Sequence, residues 1–246
     1  MAASTQPLQA RHPLQRLESP GRRVSAAIHL VGLCSFAGSY AYLVYGPQTY
    51  LSESYGWYWQ LLTIIGLSLA TLTFAIGFLA DLTLNPQLFF LKNSLSLCSA
   101  PLELLIAILY WGLTALNPGL VKPPSVTIDL RDDIGFHAMP AILLTLDLLL
   151  LSPPWTIAVM PAMGLSAILA FSYWGWVEHC HAQNGWYPYP LFALLSTGQR
   201  VLLFAFAALT MTASTALLKW LYGRVNGLQG EQRTATPAAV QGKKER

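Results

Sequence analysis

Asp132–Leu151 reads DDIGFHAMPAILLTLDLLLL. From Gly135 onward it is an almost unbroken apolar run, close to the length that crosses a bilayer. It nevertheless carries His137 at its start and Asp147 near its far end. Ionisable groups are costly in hydrocarbon and mark a function or a buried partner. The stretch therefore predicts a membrane fold and polar groups elsewhere that meet these two residues.

The rest of the chain agrees. Of 246 residues, 54% are hydrophobic and 10% charged, against roughly 25% charged in soluble domains, and the mean hydropathy is +0.46. Apolar runs at Ser25–Tyr45, Trp57–Ala80, Asn93–Leu116, Gly135–Leu151, Trp155–Val177 and Leu191–Leu221 (the last spanning from about Gly198) are each expected to cross the membrane. The SPPW stretch at Ser152–Trp155 separates the fourth from the fifth, because proline lacks an amide donor and restricts the residue before it. The expected fold is all-α: a six-transmembrane-helix bundle over residues 25–222, with polar tails at 1–24 and 223–246 read as disordered.

With six spans, Arg11, Arg16, Arg22, Arg23, Lys92, Lys219, Arg224, Arg233, Lys243, Lys244 and Arg246 share one side, and only Lys122, Arg131 and Arg200 lie on the other. That asymmetry puts both termini in the cytosol. The long polar start and full-length first apolar run argue for an uncleaved first helix rather than a signal peptide. Its arginine-rich, acid-poor character also has a mitochondrial reading, beside the endoplasmic reticulum or plasma membrane. The net charge of +3 sits in the tails, which fits membrane orientation and not nucleic-acid binding. Cys34, Cys98 and Cys180 are odd in number and widely spaced, and make neither a disulfide framework nor a thiolate metal site. No cofactor motif is present.

In this topology His137, Thr63, Arg200 and the Glu178, His179, His181 group all fall toward the non-cytosolic leaflet. Thr63 lies about 9 Å below that surface, counted from Trp57 at helical rise. His29, Asp81 and Asp147 lie in the cytosolic half, with Glu103 near the midplane. Each has an ordinary alternative. Thr63 reads first as a helix threonine bonded to the carbonyl one turn back, like Thr71 and Thr73. His137 beside an interface is wetted or caps a neighbour as readily as it catalyses. Glu178, His179 and His181 allow a metal site only if a further ligand, such as His137, joins them.

Taken together, several separated segments resemble one family. WQLLTIIG (Trp59–Gly66), LADL (Leu79–Leu82), YW (Tyr110–Trp111), Pro123, GFHAMPAILLTLD (Gly135–Asp147), WVEHCHAQNGWYPYP (Trp176–Pro190) and GQRV (Gly198–Val201) are similar to the androgen-induced protein family. The resemblance runs from about Tyr40 to Tyr222. It implies a six-span hydrolase of fatty acid esters of hydroxy fatty acids, with Thr63 as nucleophile and His137 as the catalytic histidine. The Cys180–Pro190 loop is longer than in animal members, the helix-four proline is shifted to Pro140, and the C-terminal tail has no counterpart.

On that reading His137 activates Thr63 for attack on the ester, since a threonine hydroxyl is a weak nucleophile without a base. Arg200 is the first candidate for the substrate carboxylate, its alternatives being headgroup contact or a pair with Glu178. Asp132, Asp133, Glu178 and His179 are candidates to orient His137, and Trp186 belongs to the element over the site. Asp147, about 15 Å along the helix from His137, is out of reach for a triad and is expected to serve packing or a polar cluster with His29 or Asp81. A transporter, a lipid-handling channel or a non-catalytic regulator of the same fold are the competing classes.

Overall fold

A computed structural model describes residues 22–226 except 154 and 156; most of each tail expected to be disordered lies outside these residues, but 22–24 and 223–226 are helical, as the ends of the first and last helices. Every element in it is helical. Four helices are long and apolar enough to cross a membrane: α1 (Arg22–Tyr45), α2 (Leu62–Thr83), α3 (Pro86–Leu116) and α8 (Thr197–Asn226). The short pair α4 (Leu130–His137) and α5 (Met139–Leu151), bent by 42° at its junction, makes a fifth when taken as one span. α6 (Val159–Asn184) is as long, but Tyr173, Trp174, Gly175 and Trp176 dilute its hydropathy and it stays outside that set. α7 (Pro190–Leu194) is a single short turn before α8.

The packing order follows from the contacts. α2 lies between α1 and α3; α8 bridges α3 and α6; α5 rests on α3 and α1. The core is aromatic and aliphatic, with Phe36, Leu67, Phe74 and Leu144 fully buried. Leu79, Phe90, Ile168, Leu202 and Leu209 face outward and are exposed, the apolar exterior that lipid demands of a helix bundle.

Several boundaries differ from the sequence expectation, and three of them bear on the site, each for a local reason. The second span begins with a 3-10 turn at Trp57–Gln60, entered through Gly56 at φ +84°, and the α-helix starts only at Leu62. Thr63 is therefore the second residue of α2, not a residue several positions inside it. The fourth span is broken: Pro140 has no amide to give the Phe136 carbonyl and its ring crowds that turn. The helix before the break starts at Leu130, so His137 closes α4 rather than opening a long helix. Finally, α6 runs on to Asn184 and stops at Gly185, φ +75°, which places Glu178, His179 and His181 on a helix rather than in a loop.

Among helices α1, α2, α3 and α5 the chain buries an ionic network. His29 bridges Asp81 (Nδ1–Oδ2 2.7 Å) and Asp147 (Nε2–Oδ1 3.0 Å), and Lys92 pairs with Asp147 at 2.6 Å. Lys92 donates to Ser152 at 2.7 Å and Ser25 to Asp81 at 2.8 Å. Asp147 and Lys92 have no exposure. Gly77 makes room for this, since a Cβ there would stand 2.6 Å from His29 Nε2. Charges buried this deeply persist only when each is paired and hydrogen-bonded. Asp147 thus serves the bundle and does not meet His137.

Candidate functional site

The opposite end of the bundle holds a different cluster. Asp133 and His137 stand four residues apart in α4, on one face of the helix. His137 Nδ1 meets both the Asp133 carboxylate, at 3.0 Å, and the Asp133 backbone carbonyl, at 3.1 Å. A carbonyl oxygen only accepts, so Nδ1 carries the proton and Nε2 of the neutral ring is left to take one. Tyr110 of α3 lies flat on the imidazole, centroids 3.4 Å apart and planes 1° from parallel, and its hydroxyl donates to Asp133. The Trp111 indole donates to the His137 carbonyl at 3.3 Å. The ring is thereby fixed in plane, tautomer and direction.

Thr63 comes from the start of α2. Ser68, Thr71 and Thr73 each bond back to the carbonyl four residues earlier, at 2.7 Å. Thr63, in the first turn with a 3-10 turn before it, makes no such bond among the described residues. Its segment is held from α6: Tyr173 donates to the Gln60 carbonyl (2.8 Å), Trp176 to the Trp59 carbonyl (2.9 Å) and Asn184 to Gln60 Oε1 (3.0 Å). The Leu62 amide, one of the unpaired donors of the helix start, gives its proton to the Tyr189 hydroxyl at 3.1 Å. That hydroxyl also interacts with Thr63 and Tyr173, and burial pushes the phenol up.

Two cavities meet at these residues. The larger, about 420 Å³, lies among α2, α3, α6 and α8 and is lined almost wholly by apolar side chains such as Leu69, Leu105, Phe204 and Met211. The smaller, about 90 Å³, sits under the loops near Tyr50 and Lys122, with His137 in its wall. Thr63, Tyr110, Val121 and Tyr189 line both. Thr63 and His137 thus face one space without a direct hydrogen bond, at the junction with an apolar chamber in the usual size range for a ligand.

The remaining sequence candidates fall elsewhere. Asp133, not Asp132, Glu178 or His179, orients His137. Arg200 pairs with Glu178 at 2.9 Å and donates to the carbonyls of Leu195 (2.7 Å) and Phe192 (3.2 Å). Glu178 also accepts from Trp174 and Tyr187, His179 from or to Tyr55 at 3.1 Å, and His181 stacks on Tyr187. None of these residues, nor Trp186, lines either cavity; Trp186 packs edge-on against Tyr50. Among the described residues no three His, Cys, Asp or Glu groups gather as a metal site. Tyr110, Tyr189 and Lys122 belong to the site and were not singled out from sequence. The Asp-x-x-x-His spacing at 133 and 137 was a usable signal for the pair; Tyr110 and Tyr189 lay in segments that carry the family resemblance, but nothing in the sequence placed them at the site.

Residues 24–223 match the profile of FAR-17a/AIG1-like proteins. A UPF0641 membrane protein of Schizosaccharomyces pombe is 28% identical over 206 residues, 83% of this chain and 92% of the yeast protein. No solved structure matches the chain. The chain belongs to the FAR-17a/AIG1-like family and is a multi-pass integral membrane protein.

Proposed function

We propose that this member of the FAR-17a/AIG1-like family is an integral-membrane lipid-ester hydrolase acting on fatty acid esters of hydroxy fatty acids. The observation that carries the reading is the Asp133–His137 pair, which leaves the imidazole Nε2 as acceptor in the cavity wall that Thr63 shares. In the first step Nε2 takes the Thr63 proton as Oγ attacks the ester carbonyl. The imidazolium, stabilised by Asp133, then protonates the departing alkoxide, releasing a hydroxy fatty acid and leaving an acyl-threonine. Water, deprotonated at Nε2, attacks that acyl group, and the same proton returns to Thr63 as the second fatty acid leaves. The Tyr189 hydroxyl, which interacts with Thr63, can turn its proton toward the developing oxyanion. The apolar chamber suits an acyl chain drawn from the bilayer. The proposed topology has six spans, counting α6, and cytosolic termini, in the endoplasmic reticulum or plasma membrane.

The test is hydrolysis of such an ester by the purified protein, compared with Thr63→Ala and His137→Ala. Both variants should lose turnover by roughly 10³-fold or more while remaining folded. Wild-type turnover in either sinks the reading. A transporter is the second reading, favoured by Glu103, which is buried with Oε1 unpartnered, on the same α3 face as Lys92 and Ser99. Ester hydrolysis by the purified protein, with no transport of the intact ester in proteoliposomes, decides against it.

A further inference from the structure

Resting on the hydrolase reading, we infer that the smaller cavity is a carboxylate subsite for the alcohol arm of the ester, with Lys122 as the cation that holds it. Among the described residues, Lys122 is the only Lys, Arg, Asp or Glu side chain lining either cavity. Its nearest anion, Asp133 Oδ2, is 4.0 Å away, at the outer edge of an ion pair, and its side chain is partly exposed. It makes no hydrogen bond among the described residues. Arg200, the cation that the sequence favoured, is by contrast committed to Glu178 and two helix-end carbonyls.

The division of space fixes the substrate's orientation. Thr63 stands where the chambers join, so an ester carbonyl placed there sends one arm into each. The acyl arm goes to the 420 Å³ chamber, which has no charged side chain to meet a carboxylate. The alcohol arm goes past His137, the group that must protonate its leaving oxygen, toward Lys122. A charge-assisted bond there is stronger than a neutral one and orients the leaving group. In a fatty acid ester of a hydroxy fatty acid, whose free carboxylate is on the hydroxy component, this orientation brings that carboxylate to Lys122 and leaves the acyl component in the apolar chamber.

The experiment compares three esters on the purified full-length protein: one with the carboxylate on the alcohol arm, its methyl ester, and an isomer with the carboxylate on the acyl arm. The wild type should prefer the first. Lys122→Gln should lower that preference roughly tenfold in kcat/KM, mainly through KM, the size of one hydrogen bond to a charged group; Lys122→Arg should restore most of it. An unchanged preference in Lys122→Gln overturns the inference. So does an equal loss on all three esters with a displaced pH profile, which would assign Lys122 to Asp133 instead. Failure of the hydrolase reading looks different, because Thr63→Ala then cleaves all three esters like the wild type.

Discussion

Asp133→Asn keeps the volume of the side chain and removes the charge that faces the His137 imidazole. The ring should stay in place, because Tyr110 still stacks on it and the Asp133 backbone carbonyl still accepts from Nδ1 at 3.1 Å. What is lost is the carboxylate that stabilises the imidazolium formed when Thr63 gives up its proton. A hydrogen bond to a charged group contributes roughly 1.5–3 kcal/mol, and about 1.4 kcal/mol is tenfold in rate. The expected result is a fall in kcat of roughly 10- to 150-fold with KM little changed, since the interaction strengthens only in the transition state. The loss should be smaller than that of His137→Ala because the carbonyl preserves the tautomer. Steady-state kinetics on a hydroxy-fatty-acid ester, with thermal unfolding of both proteins as control, measure this. Asp133→Asn with wild-type kcat refutes the argument that the Asp133 carboxylate stabilises the imidazolium.

The ionic network at the other end should behave as a unit. Asp147→Asn leaves the unexposed Lys92 without its 2.6 Å partner, at a cost of roughly 3–5 kcal/mol, whereas Lys92→Met combined with Asp147→Leu should recover much of it; equal unfolding temperatures for all three proteins would contradict this. Gly77→Ala drives a methyl to 2.6 Å from His29 and should lower thermal stability, while Gly38→Ala and Gly164→Ala, with nothing within 4 Å, should be neutral or raise it. Ala207→Phe fills part of the large chamber and should shorten the longest acyl chain hydrolysed, read from kcat/KM across a chain-length series, without altering short-chain esters.

How much of this was legible beforehand follows from what each signal depends on. α3 begins at Asn85–Pro86, where the asparagine side chain accepts from the Gln87 amide at 2.8 Å and proline takes a position whose amide has no helical partner. That start is written in two residues, yet the apolar run alone placed it at Asn93. The separation of Asp147 from His137 was a matter of helical rise, and the structure carries it through in the His29 and Lys92 contacts. The break at Ala138 was less legible because Pro140 sits inside an apolar run that overwhelms it in any window average. The roles of Tyr110 and Tyr189, which stood in resemblance segments, were hidden for another reason: each reaches its partner across the bundle, Tyr189 to Leu62 over 127 positions, and only tertiary packing brings such pairs together. Arg200 misled because charge and depth were readable while its local carbonyl partners were not.

The central claim is that Thr63 is a nucleophile prepared by His137. A fluorophosphonate probe applied to the full-length protein, with the modified residue located by mass spectrometry, tests it directly. Phosphonylation at Thr63, lost in Thr63→Ala and strongly slowed in His137→Ala, is the predicted result. Labelling at another residue, or labelling that persists in Thr63→Ala, contradicts the account.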